Sequence, residues 1–119
     1  MLTLRQEQVD ALAADLRRRV LDGIATMLAG SWMPERPLQE AKDMLRRFVA
    51  VGAARAESYG LVTERQIARY VNLMVVMGPR FDLQPWAQNV LTNPADEGEV
   101  KIEMLCKSAV GILQDAERE

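Results

Sequence analysis

The chain has 119 residues, of which 49% are hydrophobic, with 15 basic against 17 acidic side chains and a net charge of −2. This length predicts a single domain over residues 1–119, and this hydrophobic content excludes a disordered chain. The absence of a basic excess argues against a nucleic-acid binder, since the only basic run, residues 17–19, is what a solvated helix face carries.

The residue types that the sequence lacks exclude several kinds of catalytic and metal-binding site. Histidine is absent and Cys106 is the single cysteine, so an ordinary zinc site, an internal disulfide and a histidine-assisted nucleophile are all excluded. We therefore expect no enzyme activity, no catalytic residue, no metal and no cofactor. The chain also has no apolar run long enough for a membrane span and no apolar secretion signal, which favours a cytoplasmic protein without membrane contact.

The first predicted helix runs from Thr3 to about Ala29. Thr3 and Gln6 have the spacing of a capping box, and Gly30 is placed to end the helix. Its apolar residues recur at three-to-four spacing. They are Val9, Leu12, Leu16, Val20, Ile24, Met27 and Leu28. In a small bundle the other helices normally bury such a stripe. A second copy of the chain could cover it instead, so a homo-oligomer is left open.

The next two helices are bounded by clear signals. The second is predicted from about Pro37 to Tyr59 and ends at Gly60. Thr63 and Gln66 then form a capping box that begins a third helix, residues 63–77. The second half of that helix, VNLMVVM, is apolar nearly all round, which predicts a buried central helix.

Two further helices complete the pattern. Pro85 can begin a short fourth helix through Leu91, and Asn93-Pro94 resembles the start of a fifth. The fifth helix carries one apolar stripe. Its members are Ile102, Leu105, Ala109, Ile112, Leu113 and Ala116. Since no segment alternates as a strand would, the sequence predicts an all-α, single-domain bundle of about five helices.

Residues 78–86, GPRFDLQPW, are the candidate site. In the structural interpretation, Phe81 and Trp86 cap the core and Asp82 accepts hydrogen bonds from the next helix start. In the functional interpretation, Arg80, Phe81, Asp82 and Trp86 bind a partner protein, because Trp and Arg are enriched among binding hot spots. The sequence leaves both interpretations open.

The same region carries a family-like motif. It contains Arg-x-x-x-Tyr-Gly-Leu, then Thr-Glu-Arg, then Gly-Pro-x-Phe-Asp, then Pro-Trp-Ala. The first element is formed by Arg55, Tyr59, Gly60 and Leu61, and the second by Thr63, Glu64 and Arg65. The third is formed by Gly78, Pro79, Phe81 and Asp82, and the fourth by Pro85, Trp86 and Ala87. Residues 53–94 thereby resemble a family of small, uncharacterised all-α bacterial proteins that are encoded near spike and effector genes of type VI secretion systems. The segment between Phe81 and Trp86 is shorter than in the family pattern.

The resemblance implies a genetic neighbourhood and no catalytic residues. It implies a non-enzymatic interaction module, either an adaptor or chaperone for a type VI effector or an immunity-type protein. The expected partner is another protein, a secreted toxin or a spike component. The long amphipathic first helix and the seven methionines suit a surface that adapts to a partner.

Two other function classes remain as alternatives. LVTERQIARYVNLM is superficially similar to the start of a helix-turn-helix of a DNA-binding regulator. The following VVMGPRF, however, is apolar and broken where a recognition helix needs polar side chains. A carboxylate- or metal-dependent hydrolase could use the acidic cluster at the start of the last helix, Asp96, Glu97, Glu99 and Glu103. Acidic residues in a first turn also complement the helix dipole without any metal.

Overall fold

The computed structural model describes residues 5–118. Within these residues it contains five α-helices, a 3-10 turn at Phe81–Leu83 and no β-strand. The helices are α1 (Gln6–Trp32), α2 (Leu38–Ser58), α3 (Glu64–Met77), α4 (Pro85–Leu91) and α5 (Gly98–Arg118). The predicted all-α class is confirmed. No helix in this described part combines the length and the hydropathy that crossing a bilayer requires.

The chain divides into two compact units, Met1–Ala50 and Val51–Glu119. The first unit contains α1 and the beginning of α2. The second contains the end of α2 and the elements from α3 to α5. A single domain over residues 1–119 stays a prediction.

Helix α1 begins at Gln6, where the Gln8 side chain accepts a hydrogen bond from the Arg5 backbone N–H at 2.9 Å. The capping box proposed for Thr3 lies outside the described residues. The stop predicted at Gly30 is wrong, because α1 continues to Trp32. The helix ends at Met33, whose backbone is non-helical because the following Pro34 disfavours the α conformation before it.

The apolar stripe of α1 is buried only in part. Among its members, Ile24 and Leu28 are buried, whereas Val9, Leu12, Leu16 and Met27 are exposed. Helical periodicity reveals which residues share a face, but it does not say how far along the helix that face is covered.

The connection from α2 to α3 follows the predicted signals closely. Gly60 has a positive φ of 85°, the Gly60 N–H bonds to the Glu57 carbonyl, and the Leu61 N–H bonds to the Ala56 carbonyl, which is a Schellman ending. The capping box is confirmed: Thr63 Oγ1 accepts from the Gln66 N–H at 3.1 Å, and Gln66 Oε1 accepts from the Thr63 N–H at 3.2 Å.

Helix α3 forms the core of the second unit together with α5 and the 3-10 turn. Its buried side chains include Ile67, Tyr70, Val71 and Met74, and Val76 lies at its exposed edge. Burial therefore concentrates on one face of α3, and the aromatic end of that face meets the 3-10 turn through Tyr70 and Phe81.

Helix α5 begins at Gly98, so the start predicted at Asn93-Pro94 is wrong. The Asn93 side chain instead closes a local turn: its Oδ1 accepts from the Ala95 N–H at 3.0 Å, and its Nδ2 donates to Asp96 at 3.1 Å. Such side-chain bonds offer the backbone an alternative to the helix. The α5 stripe is buried at Ile102, Leu105 and Ala109, and its later members are exposed.

Gly98 marks a close approach between α5 and the end of α2, and it yields a testable prediction. A Cβ at Gly98 would lie 2.8 Å from the Gly60 carbonyl oxygen, a backbone atom that cannot rotate away. We expect Gly98→Ala to lower the free energy of unfolding by about 1–3 kcal/mol, as overpacking does. Urea denaturation followed by circular dichroism measures this change.

Gly111 provides the matched control in the same helix, because a Cβ there meets no atom within 4 Å. Gly111→Ala should raise the free energy of unfolding by up to about 1 kcal/mol, since alanine favours a helix over glycine. A Gly98→Ala protein as stable as the Gly111→Ala protein would contradict the close approach.

Candidate functional site

Residues 78–86, here called the corner, connect α3 to α4 through three backbone signals. Gly78 ends α3 with a φ of 109°, which side-chain-bearing residues rarely adopt, and its N–H bonds to the Met74 carbonyl at 3.2 Å. The 3-10 turn follows at once, and Pro85 then occupies the first position of α4, as the sequence predicted. Gly78, the 3-10 turn and Pro85 thus each define part of the backbone path of the corner.

Asp82 is the centre of a buried polar cluster. Its side chain is 1% exposed, yet it receives two hydrogen bonds from Arg80, Nε to Oδ1 at 3.0 Å and Nη2 to Oδ2 at 3.1 Å. The Tyr59 hydroxyl donates to Oδ2 at 2.9 Å. Burial by itself would raise the pKa of Asp82, but the bonds from Arg80 and Tyr59 and the nearby guanidinium charges outweigh it, so the pKa is lowered. Asp82 is therefore a carboxylate near neutral pH.

Two further side chains, one on α4 and one on α2, form hydrogen bonds to the corner. Gln88 on α4 donates to the Asp82 carbonyl at 2.7 Å and to the Tyr59 hydroxyl at 3.2 Å. Arg55 on α2 donates to the Pro79 carbonyl at 2.9 Å. Arg55 and Tyr59, at and just after the end of α2, thus meet the corner and α4 around Asp82, although they lie 24 and 23 positions before their partners Pro79 and Asp82.

Four aromatic rings form a row beneath this cluster. The Tyr59 and Tyr70 centroids are 6.4 Å apart, Tyr70 and Phe81 are 5.0 Å apart, and Phe81 and Trp86 stack at 5.9 Å. Burial raises the pKa of both tyrosines, and the neighbouring Asp82 raises it further, so their hydroxyls stay protonated at neutral pH. The row ends at the surface with Trp86, whose Nε1 donates to Gln84 at 2.8 Å.

The four residues predicted as a binding site therefore divide into two pairs. Phe81 and Asp82 are buried and shape the corner from within. Arg80, whose side chain is 51% exposed, and the half-buried Trp86 remain accessible. Phe81 packs in the core as the structural interpretation expects. The hydrogen bonds expected from the next helix start to Asp82 are wrong, because its carboxylate accepts from the Arg80 and Tyr59 side chains and α4 has no side-chain cap. Arg80 and Trp86 lie where a partner can reach them.

Sequence reasoning missed the remaining residues of this region. Leu83 is 59% exposed and Gln84 is exposed, and both lie within three positions of Trp86 in the sequence. We define the contact face as Arg80, Leu83, Gln84 and Trp86. Leu83 gives no periodic signal within a three-residue turn, whereas Tyr59 could have been found as the tyrosine of the family-like motif.

The acidic cluster of α5 has a structural contact of its own. Glu99 accepts a hydrogen bond from Gln66 Nε2 at 3.3 Å, which connects the beginning of α5 to the beginning of α3. Across residues 5–118, no group of three or more His, Cys, Asp or Glu side chains is arranged to hold a metal ion. The DNA-binding alternative needs a recognition helix directly after α3. The segment that follows α3 contains the 3-10 turn and the seven-residue α4.

Comparisons of the chain with protein-family models, with curated proteins and with solved structures give no match. The function is therefore inferred from the geometry of the corner. That geometry combines a turn bounded by Gly78 and Pro85, a buried carboxylate held by two side chains, and accessible residues that include one arginine, one leucine and one tryptophan.

Proposed function

We propose that the chain is a non-enzymatic protein-interaction module that binds another protein through the contact face. The supporting observation is that Arg80 and Trp86 are accessible and also held in place. Arg80 is fixed by Asp82, and Trp86 is fixed by Phe81 and Gln84. Side chains that are already ordered lose little entropy on binding, and Trp and Arg are the types most enriched in hot spots.

The chemistry of the cluster favours binding over catalysis. The oxygens of Asp82 are engaged by Arg80 and Tyr59, and the pKa of Asp82 is lowered. The pKa of Tyr59 is raised by burial and by Asp82. General acid–base catalysis works best when the pKa lies near the operating pH, and these shifts move both groups away from neutrality.

The class of partner comes from the family resemblance over residues 53–94. On that basis the proposed partner is a type VI secretion effector or spike component, and the proposed role is that of an adaptor, chaperone or immunity protein. The proposal places the chain in the bacterial cytoplasm, where an unpaired thiol such as Cys106 stays reduced. A tight equimolar complex in which the toxin is neutralised would identify the immunity role, and release of active toxin would identify the chaperone role.

The test compares two matched aspartate substitutions at exposed apolar positions of the second unit. Leu83→Asp alters the contact face, whereas Val62→Asp alters a site before α3 that is 67% exposed, compared with 59% for Leu83. We expect Leu83→Asp to weaken binding of an effector or spike protein by about 2 kcal/mol, roughly 30-fold, as loss of a hot spot does. Val62→Asp should leave binding unchanged.

The measurement is retention of partners by the tagged chain in its native cell, followed by titration of the purified pair. Thermal melts of both variants show whether the fold is intact. Arg80→Glu is unsuitable as the main test because it would place an acid beside the buried Asp82. Equal binding by the Leu83→Asp and wild-type proteins would refute the contact face, and retention of only nucleic acid would favour the regulator alternative.

A further inference from the structure

A groove of about 630 Å³ lies between α1 and α2, and all the residues that line it belong to the first unit. Its lining on α1 includes four residues spaced by four, three and four positions, which places them on one helix face. They are Ala14, Arg18, Leu21 and Ala25. The lining on α2 is spaced by four and consists of Lys42, Arg46 and Ala50. Two facing rows of side chains thus form the groove, which extends for roughly 12 Å along α2.

The groove has an apolar floor and a cationic rim. Ala25 is buried and Leu21 is half-buried, so they form the floor. The side chains of Arg18 and Arg46 are 74% and 68% exposed, which places their guanidinium groups at the rim. Among the described residues that line the groove, Asp22 is the one acid, against four arginines and one lysine.

The arginines at the rim belong to ion pairs, and one of these groups is unbalanced. Arg18 and Arg19 share a single carboxylate, that of Asp15, at 2.6 and 3.1 Å. Two positive charges thus surround one negative charge, so a further anion is attracted without displacing Asp15. Arg46 pairs with Asp43 at 3.0 Å, and both side chains are exposed. Exposed pairs contribute little stability, so an oxyanion that binds the guanidinium can compete with Asp43.

Lys42 lies deeper and joins the two walls of the groove. Its side chain is 14% exposed, and Nζ lies 2.8 Å from Asp22 Oδ1 on α1. An ammonium group has three N–H donors, so this ion pair leaves donors for a ligand. At the opposite end, far from the connection between the helices, the lining residues Ala14 and Ala50 are small and apolar. The groove is therefore cationic toward one end and apolar toward the other.

We propose that this groove binds a small organic molecule with an apolar body and a single oxyanion group, such as a carboxylate. Its volume lies within the range of roughly 300–1,000 Å³ that is usual for small-molecule sites. The oxyanion binds the guanidinium groups of Arg18 and Arg46, and the apolar body lies against Ala14 and Ala50. An extended polyanion such as nucleic acid fits less well, because the carboxylates that pair with the cations repel it.

Three probes test the chemical class with the full-length protein. Anilinonaphthalene sulfonate, a fluorescent dye, has an apolar body and one oxyanion. It should bind at least about tenfold more tightly than phenylnaphthylamine, the same ring system without the sulfonate, because the arginines bind the sulfonate. It should also bind at least about tenfold more tightly than methanesulfonate, which has no apolar body. Fluorescence titration and competition measure the affinities. Equal affinity of the dye and either part, or no binding of the dye up to about millimolar concentration, would overturn the proposal.

Two neighbouring alanines of α1 test the location. Ala14 and Ala13 are both exposed, but only Ala14 lines the groove. Ala14→Glu should weaken binding of the dye at least about tenfold, because it places a carboxylate in the groove and repels the sulfonate. Ala13→Glu changes the net charge equally and should have no effect. Unchanged binding by Ala14→Glu, or an equal loss in both variants, would overturn the proposed location. Thermal melts show whether both variants remain folded.

Two neighbouring arginines of α2 test the cationic rim. Arg46 and Arg47 are both exposed, and only Arg46 lines the groove. Arg46→Gln should weaken binding of the dye at least about fivefold, whereas Arg47→Gln should leave it unchanged. Equal affinities of these two variants would contradict the role of Arg46. Leu83→Asp, which alters the contact face, should also leave dye binding unchanged, so this proposal and the proposed function fail separately. A loss with Leu83→Asp would place the dye on the contact face and overturn the groove.

Discussion

Phe81→Ala will lower the free energy of unfolding by about 3–5 kcal/mol, which is typical for the loss of a buried phenylalanine ring. The ring is buried between Tyr70 at 5.0 Å and Trp86 at 5.9 Å, so its removal leaves a cavity that faces two large aromatic side chains. Urea denaturation monitored by circular dichroism measures the loss.

The control for this substitution lies two residues away in the same 3-10 turn. Leu83 is exposed, so Leu83→Ala should change the free energy of unfolding by no more than about 0.5 kcal/mol. Similar losses for the two variants would mean that Phe81 is not the core residue of the corner. The comparison separates packing from local turn propensity, because both substitutions replace one residue of the same turn.

Asp82→Ala will lower the free energy of unfolding by about 2–3 kcal/mol, as expected for the loss of hydrogen bonds to a charged group. The substitution removes the acceptor for the Tyr59 hydroxyl and for both Arg80 nitrogens. The control is Asp115→Ala, because the Asp115 side chain is 78% exposed and pairs only loosely with Arg118 at 4.0 Å. That change should stay within about 0.5 kcal/mol.

The contribution of Asp82 should also depend on pH. Its pKa in the folded chain lies below the ordinary value of 3.8, so the stabilisation is complete above that value and is lost as the pH falls through the folded pKa. The stability difference between the wild type and Asp82→Asn should therefore shrink as the pH is lowered from about 7 to about 3. A difference that is constant over this range would show that the charge of Asp82 does not stabilise the fold.

Helix class and most helix ends were predictable because glycine, proline and capping side chains act locally. Gly60, Thr63 with Gln66, Gly78 and Pro85 each fix a boundary through backbone conformation or a short-range hydrogen bond. The start of α5 was missed for a related reason. Asn93 also acts locally, but its side chain stabilises a turn where the sequence predicts a helix start.

The division of the corner into buried and accessible residues was not predictable from the sequence. The partner of Asp82, Tyr59, lies 23 positions earlier, so their meeting depends on how α2 and α3 pack. Side-chain type alone also misleads here, because the charged Asp82 is buried while the apolar Leu83 is exposed. Both facts follow from the tertiary arrangement, which reverses the usual preference of each residue.

The anchoring of the corner has a consequence for its motion. Because Arg55 bonds to Pro79 while Tyr59 and Gln88 bond to Asp82, a small displacement of residues 79–82 breaks several bonds at once. A partial opening therefore already loses several of these bonds, and the segment should fluctuate as a single cooperative unit. A surface with this property meets a partner as a preformed shape, and its rare excursions expose the aromatic row all together.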